Sequence, residues 1–187
     1  MKNIAKFLLE MGMLKNVKRS GWFMAGIKNP ETIAEHKLRA IIIGYVLAKL
    51  EKANDEKVIK MLMFHDIPET RLGDMHKVTA NYLDKEPTEQ KIIEDQAKLL
   101  PEDARKEFLE LMKEFNEKST KESIIARDAD YLEAAVQAHE YIESGYKNAQ
   151  EWIDRIRLKL KTEPAKQILE EVLKSENWWK GLKKVEW

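Results

Sequence analysis

The chain carries four histidines and no cysteine, and two of the histidines stand where an imidazole is costly without a partner. His36 shares a helical face with Ile33, Ala40 and Ile43, so its ring points inward. His65 follows Val58 and Leu62 at helical spacing and ends the most apolar segment of the chain, with the carboxylate of Asp66 next to it. An inward carboxylate beside an imidazole needs hydrogen bonds, a counter-charge or a metal ion. Taken separately, His36 reads as a core histidine and His65-Asp66 as a helix-terminal polar pair. A further inward acid changes that balance. Asp130 lies between Ala126 and Ala134 on a stretch lined by Ile125, Ala129, Leu132 and Val136, and its small neighbours leave space for an ion. Two imidazoles and two carboxylates make an N₂O₂ donor set for one divalent cation. The set suits Mn, Co, Fe, Ni or Zn better than Mg without choosing among them. Four protein ligands on a six-coordinate ion leave two positions open, which separates a reactive centre from a closed structural one.

Helices must position these residues. Ile4, Phe7, Leu8, Met11 and Leu14 form a first apolar stripe at helical period. Arg19-Ser20-Gly21-Trp22 breaks it, and a loop is expected as far as Asn29-Pro30. Pro30, Thr32 and Glu35 place a helix start around residues 30 to 32. That helix runs to about Glu51, with Ile33, Ala40, Ile41, Gly44 and Leu47 inward. Asn54-Asp55 caps a third helix, apolar almost all round from Met61 to Phe64 and therefore central. Pro68, Gly73 and the polar run to Pro87 predict a loop region with one short helix at most. Helices are expected at roughly 88–99, 101–117, 120–143, 147–160 and 163–175, with Pro101 and Pro164 in first turns and Gly145 as a left-handed C-cap. There is no internal repeat, and no alternating run argues for a strand. The expectation is an all-α, single-domain, multi-helix bundle over residues 1–175. An aromatic, basic tail over 176–187, rich in tryptophan, would dock on the domain or on a second subunit.

Composition narrows the function classes. The 187 residues suffice for one core, and 33 basic residues balance 33 acidic ones, leaving no net field to gather nucleic acid or an anionic membrane. Zero cysteines excludes disulfides, thiolate zinc sites, iron–sulfur clusters and cysteine nucleophiles. The longest apolar stretch, Ala40 to Ala48, is about half a membrane span. Charges interrupt Met1–Leu14 and no small-residue cleavage site follows, so a cytoplasmic location is expected. A charged fraction of 35% without cysteine also suits a heat-adapted composition. No glycine-rich phosphate loop is present.

The pattern His36, His65-Asp66, Asp130 resembles the metal signature of HD-domain phosphohydrolases. Arg19-Ser20-Gly21-Trp22, Ala34-Glu35-His36, His65-Asp66-Ile67-Pro68-Glu69, Gly73-Asp74, Asp128-Ala129-Asp130 and Gln137-Ala138-His139-Glu140-Tyr141 occur in that order. Together, over residues 4 to 145, they are similar to the HD-domain 5′-deoxynucleotidases. The resemblance implies a helical fold and one divalent metal ion (Mn, Co, Ni, Fe, Zn or Mg). It further implies a homodimer that removes the 5′-phosphate from deoxynucleoside monophosphates. It assigns the metal to His36, His65, Asp66 and Asp130. Asp128 is a nearby alternative, although the spacing to Gln137-Ala138 favours Asp130. Glu69 matches an acid/base carboxylate, Asp74 a second catalytic carboxylate and Arg19 a phosphate-binding arginine. Trp22 falls in the same substrate-side loop, where it would bound the sugar or base, and His139 and Glu140 are expected to be structural. Two residues depart from the pattern: Tyr131 stands where a lysine is usual, and His76 falls in a segment that usually carries proline. The rival readings are another HD phosphohydrolase, acting on nucleoside triphosphates, cyclic nucleotides or guanosine polyphosphates, and a non-catalytic nucleotide-binding helical protein with a structural metal. A purely structural site has no reason to gather Glu69, Asp74 and Arg19.

Overall fold

In the computed structural model, which describes residues 1–175, eleven α-helices follow one another. They are α1 (Lys2–Met11), α2 (Gly21–Met24), α3 (Ile33–Leu50), α4 (Asp55–Phe64), α5 (Glu69–Leu72), α6 (Lys77–Ala80), α7 (Lys85–Ala97), α8 (Glu102–Glu117), α9 (Lys121–Glu143), α10 (Gln150–Arg157) and α11 (Glu163–Lys174). Turns of 3-10 helix cover Gly12–Lys15 and Lys147–Ala149. Among the described residues there is no strand, only an isolated antiparallel bridge between Lys18 and Thr32. The all-α architecture is as expected, and no described helix is long and apolar enough to cross a membrane. The tryptophan-rich tail over 176–187 lies outside the described residues.

Local chemistry sets the helix starts. The Thr32 side chain accepts from the Glu35 backbone N–H while the Glu35 carboxylate accepts from the Thr32 N–H at 2.6 Å, a capping box that places His36 in the first turn of α3. Asn54 caps α4 through the Lys57 N–H, and Thr120 and Ser123 cap α9 reciprocally. Gly145, at φ +99°, turns the chain after α9.

The differences from expectation lie between residues 68 and 87 and at the edges of two loops. Two short helices, α5 and α6, occupy that segment instead of one at most. Helix α7 begins before Pro87 because Asp84 caps it by accepting from the Glu86 N–H, and a first-turn proline has no N–H to lose. Pro101 is the residue just outside α8, whereas Pro164 does stand in the first turn of α11. The loop before Pro30 contains α2.

Helices α3, α4 and α9 form the centre, burying Ile33, Ala40 and Leu47, Val58, Met61 and Leu62, and Ile125, Ala129 and Leu132. Gly44 allows α3 to touch α4: a β-carbon there would sit 2.2 Å from Leu62 Cδ1 and 3.1 Å from Val58 Cγ1. The end of α4 is not buried on all sides. Met63 is exposed, and Phe64 packs edge-on against Phe108 of a second apolar cluster with Ile93, Ala97 and Met112.

Candidate active site

Three central elements bring the four sequence-predicted donors together. His36 stands in the first turn of α3, His65 caps the C-terminus of α4 with Asp66 beside it, and Asp130 lies midway along α9. His36 Nε2 is 3.2 Å from Asp130 Oδ1 and 3.7 Å from Asp66 Oδ2. His65 Nε2 is 3.0 Å from Asp66 Oδ2 and 3.8 Å from Asp130 Oδ1. The outer ring nitrogens face protein partners. His65 Nδ1 is 2.9 Å from the Leu62 carbonyl, which can only accept, so Nδ1 carries a proton and Nε2 is the ring atom left to face the carboxylates. His36 Nδ1 pairs with the Glu133 carboxylate.

The inner atoms are left wanting. Among the described residues, His36 Nε2, His65 Nε2 and Asp66 Oδ2 are buried without an aligned hydrogen-bond partner, a costly arrangement that a cation at their centre would relieve. Without one, the imidazoles carry the positive charge. Burial and Arg19 push the His36 pKa down, but pairing with Asp130 and Glu133 overrides them and raises it to about 10. His65 is also raised: burial opposes its charge, but Asp66 and Asp130 outweigh it. Burial favours protonating Asp66 and Asp130, yet the two imidazoles hold both carboxyls below their usual range. These residues fit a divalent ion.

Asp128, the sequence alternative, points elsewhere. Its carboxylate accepts from the Lys161 N–H at 3.0 Å and from the Thr162 N–H and hydroxyl, each at 2.7 Å, and so ties α9 to the segment that leads into α11. Glu133 was not singled out from sequence. It is fully buried, and Arg39 Nε donates to it at 2.9 Å while the rest of that guanidinium binds Gln137 and Glu140, each at 2.6 Å. Glu140 is therefore structural, as expected. The available signal was an acid three residues after Asp130 on a face of alanines. Lys37 was also missed: it is buried, and it donates to the Met63 carbonyl at 2.7 Å.

Glu69 opens α5 and is buried. Burial first, then Asp66 and Asp74, raise its pKa well above the usual carboxylate range, against the pull of Lys85 and Arg19. Lys85 Nζ lies 3.8 Å from Glu69 Oε1, and Glu69 Oε2 has no partner. Arg19 stays charged: burial opposes it, but Asp130, Asp66, Asp74 and Glu133 prevail. Arg19 and Asp74 line a cavity of about 340 Å³ together with Trp22, His76, Trp152 and Lys159. Gly73, at φ +75°, turns the chain out of α5 to present Asp74, whose carboxylate and carbonyl accept from the Ser20 N–H and hydroxyl. Trp22 is no exposed loop residue; at 1% exposure it forms an inner wall, stacked on Trp152 with centroids 5.0 Å apart and donating to Glu31 at 2.9 Å. Burial and Glu133 raise Glu31 to about 7. His76 caps α6 by accepting from the Thr79 N–H at 3.3 Å.

The chain is similar in sequence and in fold to known proteins. Residues 11–172 match the HD domain family model. The human 5′-deoxynucleotidase HDDC2 is 31% identical over 143 residues, covering 75% of this chain and 69% of the relative. Its counterpart in Dictyostelium discoideum is 31% identical over 151 residues, covering 75% and 78%. A conserved hypothetical protein from Pyrococcus furiosus superposes with a TM-score of 0.77 at 31% identity, covering 91% of this chain and 99% of that one. With the fold, the ordered motifs and these relatives in agreement, the chain belongs to the HD domain family.

Proposed function

We propose that the protein is a metal-dependent 5′-deoxynucleotidase that hydrolyses deoxynucleoside 5′-monophosphates to deoxynucleoside and phosphate. The observation that carries the reading is the convergence of orphaned His36, His65 and Asp66 atoms with Asp130, close to a buried Glu69 and to a cavity lined by Arg19. His36, His65, Asp66 and Asp130 would hold one divalent ion. When bound, such an ion neutralises phosphoryl oxygens and makes water a better nucleophile near neutral pH. Arg19 presents a planar fork to two phosphoryl oxygens. Glu69, which keeps its proton to unusually high pH, donates it to the departing 5′-oxygen of the sugar. Asp74 fixes the Arg19 loop through Ser20, and Trp22 supports the wall on which the sugar or base rests.

The exposed row Leu38, Ile42, Tyr45 and Val46 on α3 supports a homodimer, and a nucleotide substrate would suit a cytoplasmic location. The decisive experiment loads metal-stripped protein with Mn, Co, Ni, Fe, Zn or Mg. Phosphate release is then measured from deoxynucleoside monophosphates, ribonucleoside monophosphates, triphosphates and cyclic nucleotides. Metal-dependent release from the deoxynucleoside monophosphates is expected, and turnover confined to triphosphates or cyclic nucleotides would refute the reading. His65→Ala is expected to lose both metal and turnover.

A further inference from the structure

The cavity that Arg19 lines carries four cationic side chains, Arg19, Lys77, Arg155 and Lys159, against two carboxylates in its own wall, while Asp130 acts on both Arg19 and Lys159. Of its two carboxylates, Asp74 is bound to the Ser20 N–H and Glu151 is paired with Arg155. Arg19 has Glu31 at 3.9 Å. Lys77 and Lys159 also line the cavity, and among the described residues neither ammonium has a carboxylate oxygen within 4.0 Å. Lys159 is half-buried, and its ammonium lies 5.0 Å over the ring of Tyr131, the residue directly after Asp130. Burial, then the neighbouring Lys77, lower the Lys159 pKa. Two ammonium groups brought together at a cavity wall repel each other unless an anion joins them. A cation–π contact accounts for the place of the Lys159 stem but does not answer a second ammonium.

We propose that Lys159, with Lys77 beside it, binds the phosphoryl oxygens of the substrate and shares with Arg19 the charge of a phosphate monoester dianion. The inference rests on the nucleotidase reading. It deepens that reading by supplying the phosphate site with a cation from the turn that follows α10, far in sequence from Arg19.

Inorganic phosphate is the probe, used by calorimetric titration and as a competitive inhibitor of the metal-loaded enzyme. Lys159→Met keeps a stem of similar length on the Tyr131 ring, so its thermal midpoint and metal content are expected to match the wild type. Its phosphate affinity is expected to fall about tenfold, as when a charge-assisted hydrogen bond is lost, with a similar rise in KM. Lys159→Arg is expected to stay within about threefold of wild type, and Lys77→Met to show a smaller loss than Lys159→Met. Unchanged phosphate affinity and KM in Lys159→Met overturns the proposal. So does an effect seen only with nucleoside 3′,5′-bisphosphates, which would move Lys159 to a different anion. If the wild type releases no phosphate from any deoxynucleoside monophosphate, the nucleotidase reading falls by itself. The phosphate titration still decides Lys159: a loss in Lys159→Met upholds the anion site, and equal affinity removes it.

Discussion

At the scale of single residues, the site divides into groups that hold charge and groups that aim them. Glu69 belongs to the first kind. Burial and the field of Asp66 and Asp74 make its carboxyl retain a proton against the pull of Lys85 and Arg19, as an acid delivering to a leaving oxygen must. Glu69→Gln should keep its metal and lose about 10²–10⁴ in kcat, checked by elemental analysis beside steady-state kinetics; near-normal turnover would give the proton transfer to another group. Glu133 belongs to the second kind. It orients the His36 ring and is itself held by Arg39. Glu133→Gln should weaken metal binding by about 10–100-fold, measured by competition with a chromophoric chelator, and an unchanged affinity would reduce Glu133 to packing.

At the scale of elements, helix starts and close approaches decide where these groups stand. Gly44→Ala should gain about 1 kcal/mol of helix propensity but overfill the contact with the fully buried Leu62, at a cost of about 1–3 kcal/mol. A net loss of stability is expected in urea unfolding, and a more stable variant would mean that α3 and α4 can separate cheaply. The two neighbouring aspartates of α9 can be told apart by the same logic. Asp128→Ala removes the hydrogen bonds that hold Lys161 and Thr162 ahead of α11 and should cost about 1–3 kcal/mol while metal stays bound. Asp130→Ala should lose the metal. Metal loss in Asp128→Ala at intact stability would reverse the assignment. Sequence spacing placed the starts of α3 and α4 correctly because their caps involve residues three apart. It underestimated the order of residues 68 to 87, where α5 and α6 are each only four residues long and depend on tertiary support that local propensity does not report.

At the scale of the whole molecule, metal and stability are linked. Metal at 100-fold its dissociation constant should add about 2.7 kcal/mol, which for a chain of this size raises the Tm by roughly 5–10 °C. The dependence on pH has opposite signs in the two forms. In stripped protein the folded His36 pKa, about 10, exceeds the ordinary 6.5. Its contribution is therefore complete below pH 6.5 and fades as pH rises toward 10. Asp66 and Asp130, whose folded pKa values are depressed, contribute above their ordinary pKa and lose that contribution on acidification. Metal must displace the imidazole protons, so its increment in Tm should grow from pH 6 to pH 9. Thermal unfolding with and without chelator across that range checks both signs, and a stripped protein equally stable at pH 6.5 and 9.5 would contradict the charge state assigned to His36.

The order of apolar and polar residues by itself determined the long helices, the caps of α3 and α4 and the inward faces of His36, His65 and Asp130. Those features follow from backbone periodicity and from contacts a few residues apart. Only the tertiary structure decided that Glu133, 97 residues from His36, holds its ring, that Asp128 is committed to the segment before α11, and that Trp22 is a wall. It alone brought the Lys159 ammonium over Tyr131. Each of these depends on which helix faces which across the core, and helical period fixes the face a residue occupies but not the element that packs against it.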